Sequence, residues 1–521
     1  MSTSVELDYL SIAHAKDLAN KRDRLIYRAL EILPGFLAWA TLILGIVLAF
    51  FIPKYLAIFI IIFDIYWLIR IAYLHFHLTS AFRMMRKHTK INWLEKLEAL
   101  PTEYGDWQKI YHLVVLPFYK EDGSIVQTAI NAVVNSGYPL DKFIIVVSGE
   151  EGVKTHAQEI LSEIEEVYGG SAFKLITTIH PQNIVGELAG KGANTAWAGR
   201  KAKEYIDEQN LAYEDIVVSS FDIDTIAPHG YFSRLTYVYT TTEDRLRASY
   251  QPIPIYINNI WDAPSFSVIT AFSTTFWAML NQERSNRLKT FSSHSMSFKA
   301  LLDVGFWKTN SVTEDNIIFF QCFLRYDGNY RVVPLYFPVY MDANLAPTFL
   351  QTAANVYRQH RRWGWGVETI PYMVFGFIKN KKISLAKKLD YGFEYIEGFW
   401  SWATGSIVIA TFGWLPRLVG GKEFRQSILS VNVSSITGTI LNFFLIFLVF
   451  SAFFTIILLP PRPIKKRRGI GNLWMVLQWL LTPIIMIFLV CIPALDAQTR
   501  LMFGKYMGFW ATPKTRKNEV N

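Results

Sequence analysis

Apolar blocks at both ends of the chain, with none in the middle, limit the folds open to it more than any other feature. Ile32 to Ile52 and Tyr55 to about Tyr73 can each cross a hydrocarbon layer about 30 Å thick, and Pro53 and Lys54 separate them. In lipid, backbone amides must find partners within their own segment, so the two blocks predict a hairpin of helices. No cleavage site of small residues accompanies the first block, which reads as a retained anchor. Arg70 lies where its charge can snorkel, while Asp64, inside the second block, must face protein or water. Lys21, Arg22, Arg24 and Arg28 precede the pair, and Arg83, Arg86, Lys87 and Lys90 follow it. This basic flanking predicts that both hairpin ends lie in the cytoplasm.

Later in the chain, a run containing Lys379, Lys381, Lys382, Lys387 and Lys388 reads as an interfacial helix at an anionic leaflet. Phe399 to about Trp414, extended by Tyr395 and Ile396, reads as a third span, and Ile436 to Leu459 as a fourth. Leu473 to Ala494 contains Pro483 and Pro493 and leads to a tail with Lys505, Lys514, Arg516 and Lys517. Two readings stay open there: a segment broken at Pro483 that returns to the cytoplasm, and an ordinary fifth crossing.

From about Leu100 to Lys388 nothing is apolar enough to span, and short β-branched runs alternate with helical patterns. His112 to Leu116, Phe143 to Val147, Phe173 to Thr178 and Ile216 to Ser220 predict strands, and Gln127 to Asn135, Lys154 to Tyr168 and Asn194 to Glu208 predict helices. The alternation predicts an α/β fold with a mostly parallel, Rossmann-type sheet inserted between transmembrane helices. The expected division is 1–78 (cytoplasmic N-terminus and transmembrane hairpin), 79–388 (soluble domain) and 389–521 (interfacial and membrane helices with the tail). A formal charge of +9 suits anionic lipid or an anionic substrate, and no nucleic-acid-binding motif is present. Only Cys322 and Cys491 occur, far apart, which excludes a disulfide framework and leaves two buried thiols.

Chemistry concentrates at Asp215 to Asp224, DIVVSSFDID. The strand Ile216 to Ser220 ends in Asp222 and Asp224, which an extended chain places on one side, at the sheet edge where α/β proteins bind ligands. Two carboxylates without a nearby base suit a hard divalent cation completed by substrate phosphates; an acidic turn closing a strand would also account for them. Tyr119 and Glu121 follow the first strand in LPFYKED, and GKGANTAWA opens a helix with Lys191 and Asn194. Thr313, Glu314 and Asp315 precede the predicted helix Asn316 to Leu324, and Gln359, His360, Arg361, Arg362 and Trp363 end a helix beginning near Phe349.

The order D-x-D, T-E-D, Q-x-x-R-W, bracketed by spans, resembles membrane-integrated family 2 glycosyltransferases of the cellulose, chitin and hyaluronan synthase type, over residues from about 110 to 366. The resemblance implies a GT-A-like domain in which Asp222 contacts the nucleotide and Asp224, with Asp222, holds Mg²⁺ or Mn²⁺. It implies Asp315 as general base, with Glu314 the lesser candidate, and Gln359, Arg362 and Trp363 at the diphosphate and acceptor. Tyr119, Glu121 and an acid after the second strand would hold the nucleoside. Here VVSGEE replaces the family's aspartate-rich turn, so Glu150 or Glu151 substitutes. Lys191 and Asn194 would meet phosphate or nucleoside. FWATPK is similar to the gating loop of cellulose synthase, with Ala511 for Val, which implies that Thr512 and Lys514 meet the diphosphate. The expected activity is inverting transfer of a sugar from a nucleotide-diphosphate donor, UDP-linked, to a growing glycan by a multi-pass enzyme of the cell membrane with its catalytic domain in the cytoplasm. The rivals are a non-processive enzyme with a lipid-linked acceptor and a transporter or receptor regulated by nucleotide-sugar binding.

Overall fold

The computed structural model describes residues 8–462 and 471–513. Its centre is a seven-stranded sheet: β1 (Tyr111–Pro117), β2 (Phe143–Glu150), β3 (Lys174–His180), β4 (Ile216–Ser220), β5 (Ala248–Tyr256), β6 (Ser295–Ser297) and β7 (Arg331–Met341), in the order 3-2-1-4-6-5-7. All pairings are parallel except those of β6, which runs antiparallel to β4 and β5. Side chains alternate across the sheet. Leu113, Val115, Ile144, Val146 and Val218 enter one core, while Val114, Leu116, Ile145, Val147 and Val217 enter the other. Strands covered on both faces read as unbroken apolar runs, which is why β1, β2 and β4 were expected; β3, at the sheet edge and half-buried, was expected from its shorter apolar run. β5 and β7 were not, because Pro252, Pro254, Pro334 and Pro338 interrupt them. They pair across a register shift between Gln251 and Ile253, and β7 lies at the sheet edge, where a missing donor is tolerated.

Among the described residues four helices are long and apolar enough to cross a membrane: Lys21–Phe51, Pro53–His88, Ile428–Leu458 and Leu473–Met502. The second has 36 residues, about 54 Å of helix. Its surplus over a bilayer's thickness carries Leu78, Ala81 and Met85 into a core with Ile253, Ile255 and Phe272, welding the hairpin to the sheet domain.

Two sequence-based expectations need correction, and one point left open is decided. The expected third span overlaps a longer helix, Leu385–Thr411, which stops short of Trp414 and is not among the apolar four; its Glu394 and Glu397 line a cavity, and its Asp390 pairs with Arg287. The lysine run is not a helix of its own. Lys379 closes the helix Thr369–Lys379 and pairs with Asp23 of the first apolar helix, Lys382 pairs with Asp327, and Lys387 donates to the Gly328 carbonyl, so these three cations have protein partners. Of the two readings left open for 473–494, the helix agrees with the unbroken one: the chain does not break at Pro483. A 3₁₀ turn (Gln478–Leu481) and a π turn (Met486–Cys491) on either side absorb the lost donor, and helix continues to Met502. Trp479 near its start stacks on Phe276 of the sheet domain, and Arg28 donates to the Leu501 and Met502 carbonyls at its end. The two cysteines are buried and free.

Candidate active site

β4 delivers the double aspartate to the carboxyl edge of the sheet. After Ser220 the chain stays extended long enough for Phe221 to donate to the Val115 carbonyl, then turns as Thr225 donates to Asp222. Asp224 is buried, 1% exposed, and its Oδ2 accepts from the Asp342 amide. Asp222 Oδ2 accepts from Ser292 Oγ at 2.6 Å.

The helix Lys191–Glu208 supplies a cation to the same point. Lys191 Nζ lies 2.6 Å from Asp222 Oδ1, 2.9 Å from Asp315 Oδ2 and 3.6 Å from Glu314 Oε1, so carboxylates nearly a hundred residues apart meet on one ammonium. Burial would lower the pKa of Lys191, but the charges of Asp222 and then Asp315 outweigh burial and raise it. The Glu314 pKa is raised as well, to about 8, by burial first and then by the charge of Asp315, which favours its neutral form. Two glycines make the approach possible. Gly190 has φ 156°, and a Cβ there would lie 2.5 Å from Phe509 Cβ; one at Gly192 would lie 2.8 Å from the Lys308 carbonyl oxygen and 3.1 Å from Glu314 Cβ.

Among the described residues no group of three or more His, Cys, Asp or Glu side chains converges as a metal site. Asp222 and Asp224 offer hard oxygen donors at a point that already draws a positive charge, and a magnesium-like ion bound there would take its other ligands from a substrate diphosphate. The residues fit a divalent ion on those terms.

One cavity of about 2000 Å³ joins these groups to the other expected site residues. Tyr119, Glu121, Glu150, Lys191, Asn194, Asp222, Asp224, Glu314, Asp315, Gln359, Arg362, Trp363 and Thr512 all line it. Lys514 lies outside the described residues. Glu150 faces the cavity, whereas Glu151 accepts from the Gln182 amide, so position distinguishes the two acids. Glu121 turns back to accept from the Tyr119 and Lys120 amides, and Asn194 is bonded at both ends of its amide to Ser148, which commits both side chains partly to local structure. Arg362 sits over the Phe509 ring at 5.1 Å and Arg358 over Trp510, so the Q-x-x-R-W helix (Phe349–Gly364) carries the C-terminal loop on its cationic face. Trp365, two residues beyond Trp363, is fully buried and donates to Glu368.

From the carboxylates the cavity continues between helices, past Arg70 and His75 of the second apolar helix, Trp402, and Leu445 and Ser451 of the third. Arg70 is ion-paired with Glu397 across this space.

Several partners were invisible in the sequence. His180 at the end of β3 places Nδ1 2.9 Å from Glu150 and Nε2 3.0 Å from Glu187. Burial would lower its pKa, but the hydrogen bonds and charges of Glu150 and then Glu187 prevail and raise it. His294, fully buried, places Nδ1 3.7 Å from Asp315 Oδ1; it donates to the Phe291 carbonyl and accepts from Trp307, the pattern of a neutral ring, and burial lowers its pKa. The N-terminal stretch straps across the base: Lys308 donates to the Ile12 carbonyl, Asn310 to Ser11 and Tyr372 to Leu10, while His14 stacks on Tyr506, three residues before Phe509. No local periodicity or motif signals any of these contacts.

No protein-family description and no curated protein matches the sequence. Solved structures with similar folds include a mannosyltransferase from Pyrobaculum calidifontis in complex with GDP-Man and Mn²⁺ (TM-score 0.40, 11% identity, 74% of this chain and 99% of that one). They also include S. aureus TarS residues 1–349 in complex with UDP-GlcNAc (0.37, 11%, 76% and 93%). A third is GalNAc-T7 with UDP, GalNAc and Mn²⁺ (0.29, 13%, 58% of each chain). At this level of similarity neither substrate nor mechanism transfers.

Proposed function

We propose that this protein is a membrane glycosyltransferase that moves a sugar from a nucleotide-diphosphate donor to an acceptor at the carboxylate cluster, with inversion. The observation that carries the reading is the convergence of Asp222 and Asp315 on Lys191 in a cavity that also holds Asp224 and Arg362. Asp315 takes the proton from the acceptor hydroxyl, that oxygen forms its bond to the anomeric carbon, and the bond from that carbon to the diphosphate oxygen breaks on the opposite side. Lys191 and Arg362 offset charge on the departing diphosphate, Asp222 and Glu150 engage the nucleoside, and Trp363 offers a flat face to the acceptor sugar. A divalent ion held by Asp224 and Asp222 would neutralise part of the same charge when bound. Protonated Glu314 is unsuited to act as the base.

The cavity's size supports a growing glycan as acceptor. Small-ligand sites occupy roughly 300–1000 Å³, so a donor leaves about half of this space free, and the surplus leads between the apolar helices. The basic flanks of the first hairpin support a cytoplasmic catalytic domain.

Purified protein in lipid, given radiolabelled UDP-glucose, UDP-GlcNAc and GDP-mannose with Mn²⁺ or Mg²⁺, is expected to consume one donor preferentially and to lose that activity in EDTA. A ladder of products supports processive synthesis, and one-sugar lipid products support the non-processive reading. Donor binding without consumption of any sugar nucleotide would sink the enzyme reading in favour of a regulated transporter or receptor.

A further inference from the structure

Glu368 is a buried acid, 6% exposed, outside every motif considered so far, five residues beyond Trp363 on the 3₁₀ turn Trp365–Glu368. One of its oxygens, Oε1, accepts from Ser311 Oγ (2.6 Å), Thr313 Oγ1 (2.8 Å), the Val312 amide (3.1 Å) and the Thr313 amide (3.2 Å). The other, Oε2, accepts from Trp365 Nε1 at 2.7 Å, which fixes the carboxylate's own orientation.

These bonds meet a particular local need. Glu314–Arg325 is a helix whose N-cap, Thr313, makes no capping bond with its own side chain; the hydroxyl that ordinarily caps the first turn is turned toward Glu368. An acid from another part of the chain therefore gathers the donors ahead of that helix, at the end where the dipole favours negative charge. The next residue adds a second tie. Thr369 Oγ1 donates to Asn316 Oδ1 at 3.2 Å, and Tyr395 donates to the same oxygen at 3.1 Å. Asp315 is thus held on both sides, before it by Glu368 and after it by Thr369 and Tyr395.

We infer that Glu368 is a positioning residue, which sets the T-E-D turn so that Asp315 faces the acceptor and couples that turn to the Q-x-x-R-W helix preceding it. The inference rests on the glycosyl-transfer reading for its catalytic consequence, and on hydrogen bonds alone for the anchoring. A shift of even 1 Å in a reacting group costs orders of magnitude in rate while leaving binding by distant groups intact. Glu368 touches neither the Asp222 and Asp224 turn nor Glu150, so its loss acts on the base and not on the donor.

The test uses the full chain in lipid, with Glu368→Gln and Glu368→Ala. Glutamine keeps an acceptor oxygen for Ser311–Thr313 but places an amide against Trp365 Nε1–H; alanine removes both. Hydrogen exchange reads the anchor without any substrate: amides of 311–316 are expected to exchange at least about 10-fold faster in Glu368→Ala and less so in Glu368→Gln, with amides of β1 and β4 unchanged. Turnover of the donor consumed by the wild-type protein, measured with Mn²⁺, is expected to fall about 10- to 100-fold in kcat in Glu368→Ala, with partial recovery in Glu368→Gln. UDP binding with Mn²⁺ should stay within about twofold. Unchanged exchange at 311–316 overturns the anchor. Faster exchange with unchanged kcat, or parallel loss of kcat and UDP binding, overturns its positioning role. A wild-type protein that consumes no sugar nucleotide defeats the glycosyl-transfer reading and with it the catalytic consequence, while exchange still decides the anchor.

Discussion

Asp315→Asn separates the role of a charge from that of a shape, because asparagine keeps the side chain's outline and one acceptor oxygen. In the native site Asp315 Oδ2 is 2.9 Å from Lys191 Nζ, and the same ammonium lies 2.6 Å from Asp222 Oδ1. The cation therefore stays compensated after the substitution, and the new carbonyl can still accept from it. The gross attraction lost, about 4 kcal/mol for unit charges 4 Å apart at an effective dielectric constant of 20, is opposed by relief of the desolvation of the Asp315 carboxylate. A net stability change of about 1 kcal/mol follows, a shift of about 1 °C in Tm for a chain of this length. Proton abstraction has no such substitute. Loss of a general base removes about 10²–10⁴ in rate, or about 3–5 kcal/mol of transition-state stabilisation. Single-turnover transfer from a radiolabelled donor, beside calorimetric UDP binding with Mn²⁺ and a melting curve, reads the three quantities separately. Transfer within about tenfold of wild type, in a variant that binds UDP normally, would refute Asp315 as the base.

Gly190→Ala forces a Cβ to within 2.5 Å of Phe509, so the C-terminal loop must move; KM for the donor is expected to rise severalfold with little loss of Tm, and an unchanged KM would show that the loop takes no part in donor binding. Because its folded pKa is raised, His180 binds its proton more tightly in the folded chain than in the unfolded one. Its contribution is fully present below the ordinary value of 6.5 and drains away as pH rises through the higher folded value. The Tm difference between wild type and His180→Gln should accordingly be largest at acid pH and shrink above neutrality; a difference that grows with pH would contradict the Glu150–His180–Glu187 arrangement. Glu31→Ala strands the Tyr506 hydroxyl and the Ala15 amide and removes the Arg28 ion pair, so melting should show a loss of about 3 kcal/mol and trypsin should cut more readily between residues 16 and 24. Trypsin resistance equal to wild type would show that the strap is held without Glu31.

The strands most readable from composition were those buried on both faces. β1, β2 and β4 are continuous β-branched runs because neighbours cover them above and below, and that environment leaves its mark residue by residue. β6, only Ser-Met-Ser, is interior but too short to show a pattern, and the proline-bearing β5 and β7 lack the mark because they pair across a register shift, β7 at the sheet edge. The same logic explains Leu385–Thr411. Its acidic residues look out of place in a span; Glu394 and Glu397 are accommodated because one side of the helix borders the cavity, and Asp390 pairs with Arg287.

Linear order determined the broad plan: apolar ends that must be helical in lipid, a middle that alternates strand and helix, and acidic pairs placed where strands end and helices begin. Those features depend on a few neighbouring residues and on the solvent each segment meets, so they survive in the one-dimensional text. Which charges face one another was decided only by the tertiary structure. Lys191 between Asp222 and Asp315, His180 between two glutamates, and Glu368 under the T-E-D turn are contacts between segments remote in sequence. Their energies come from distances and burial that exist only once the sheet, the helices and the C-terminal loop have packed together.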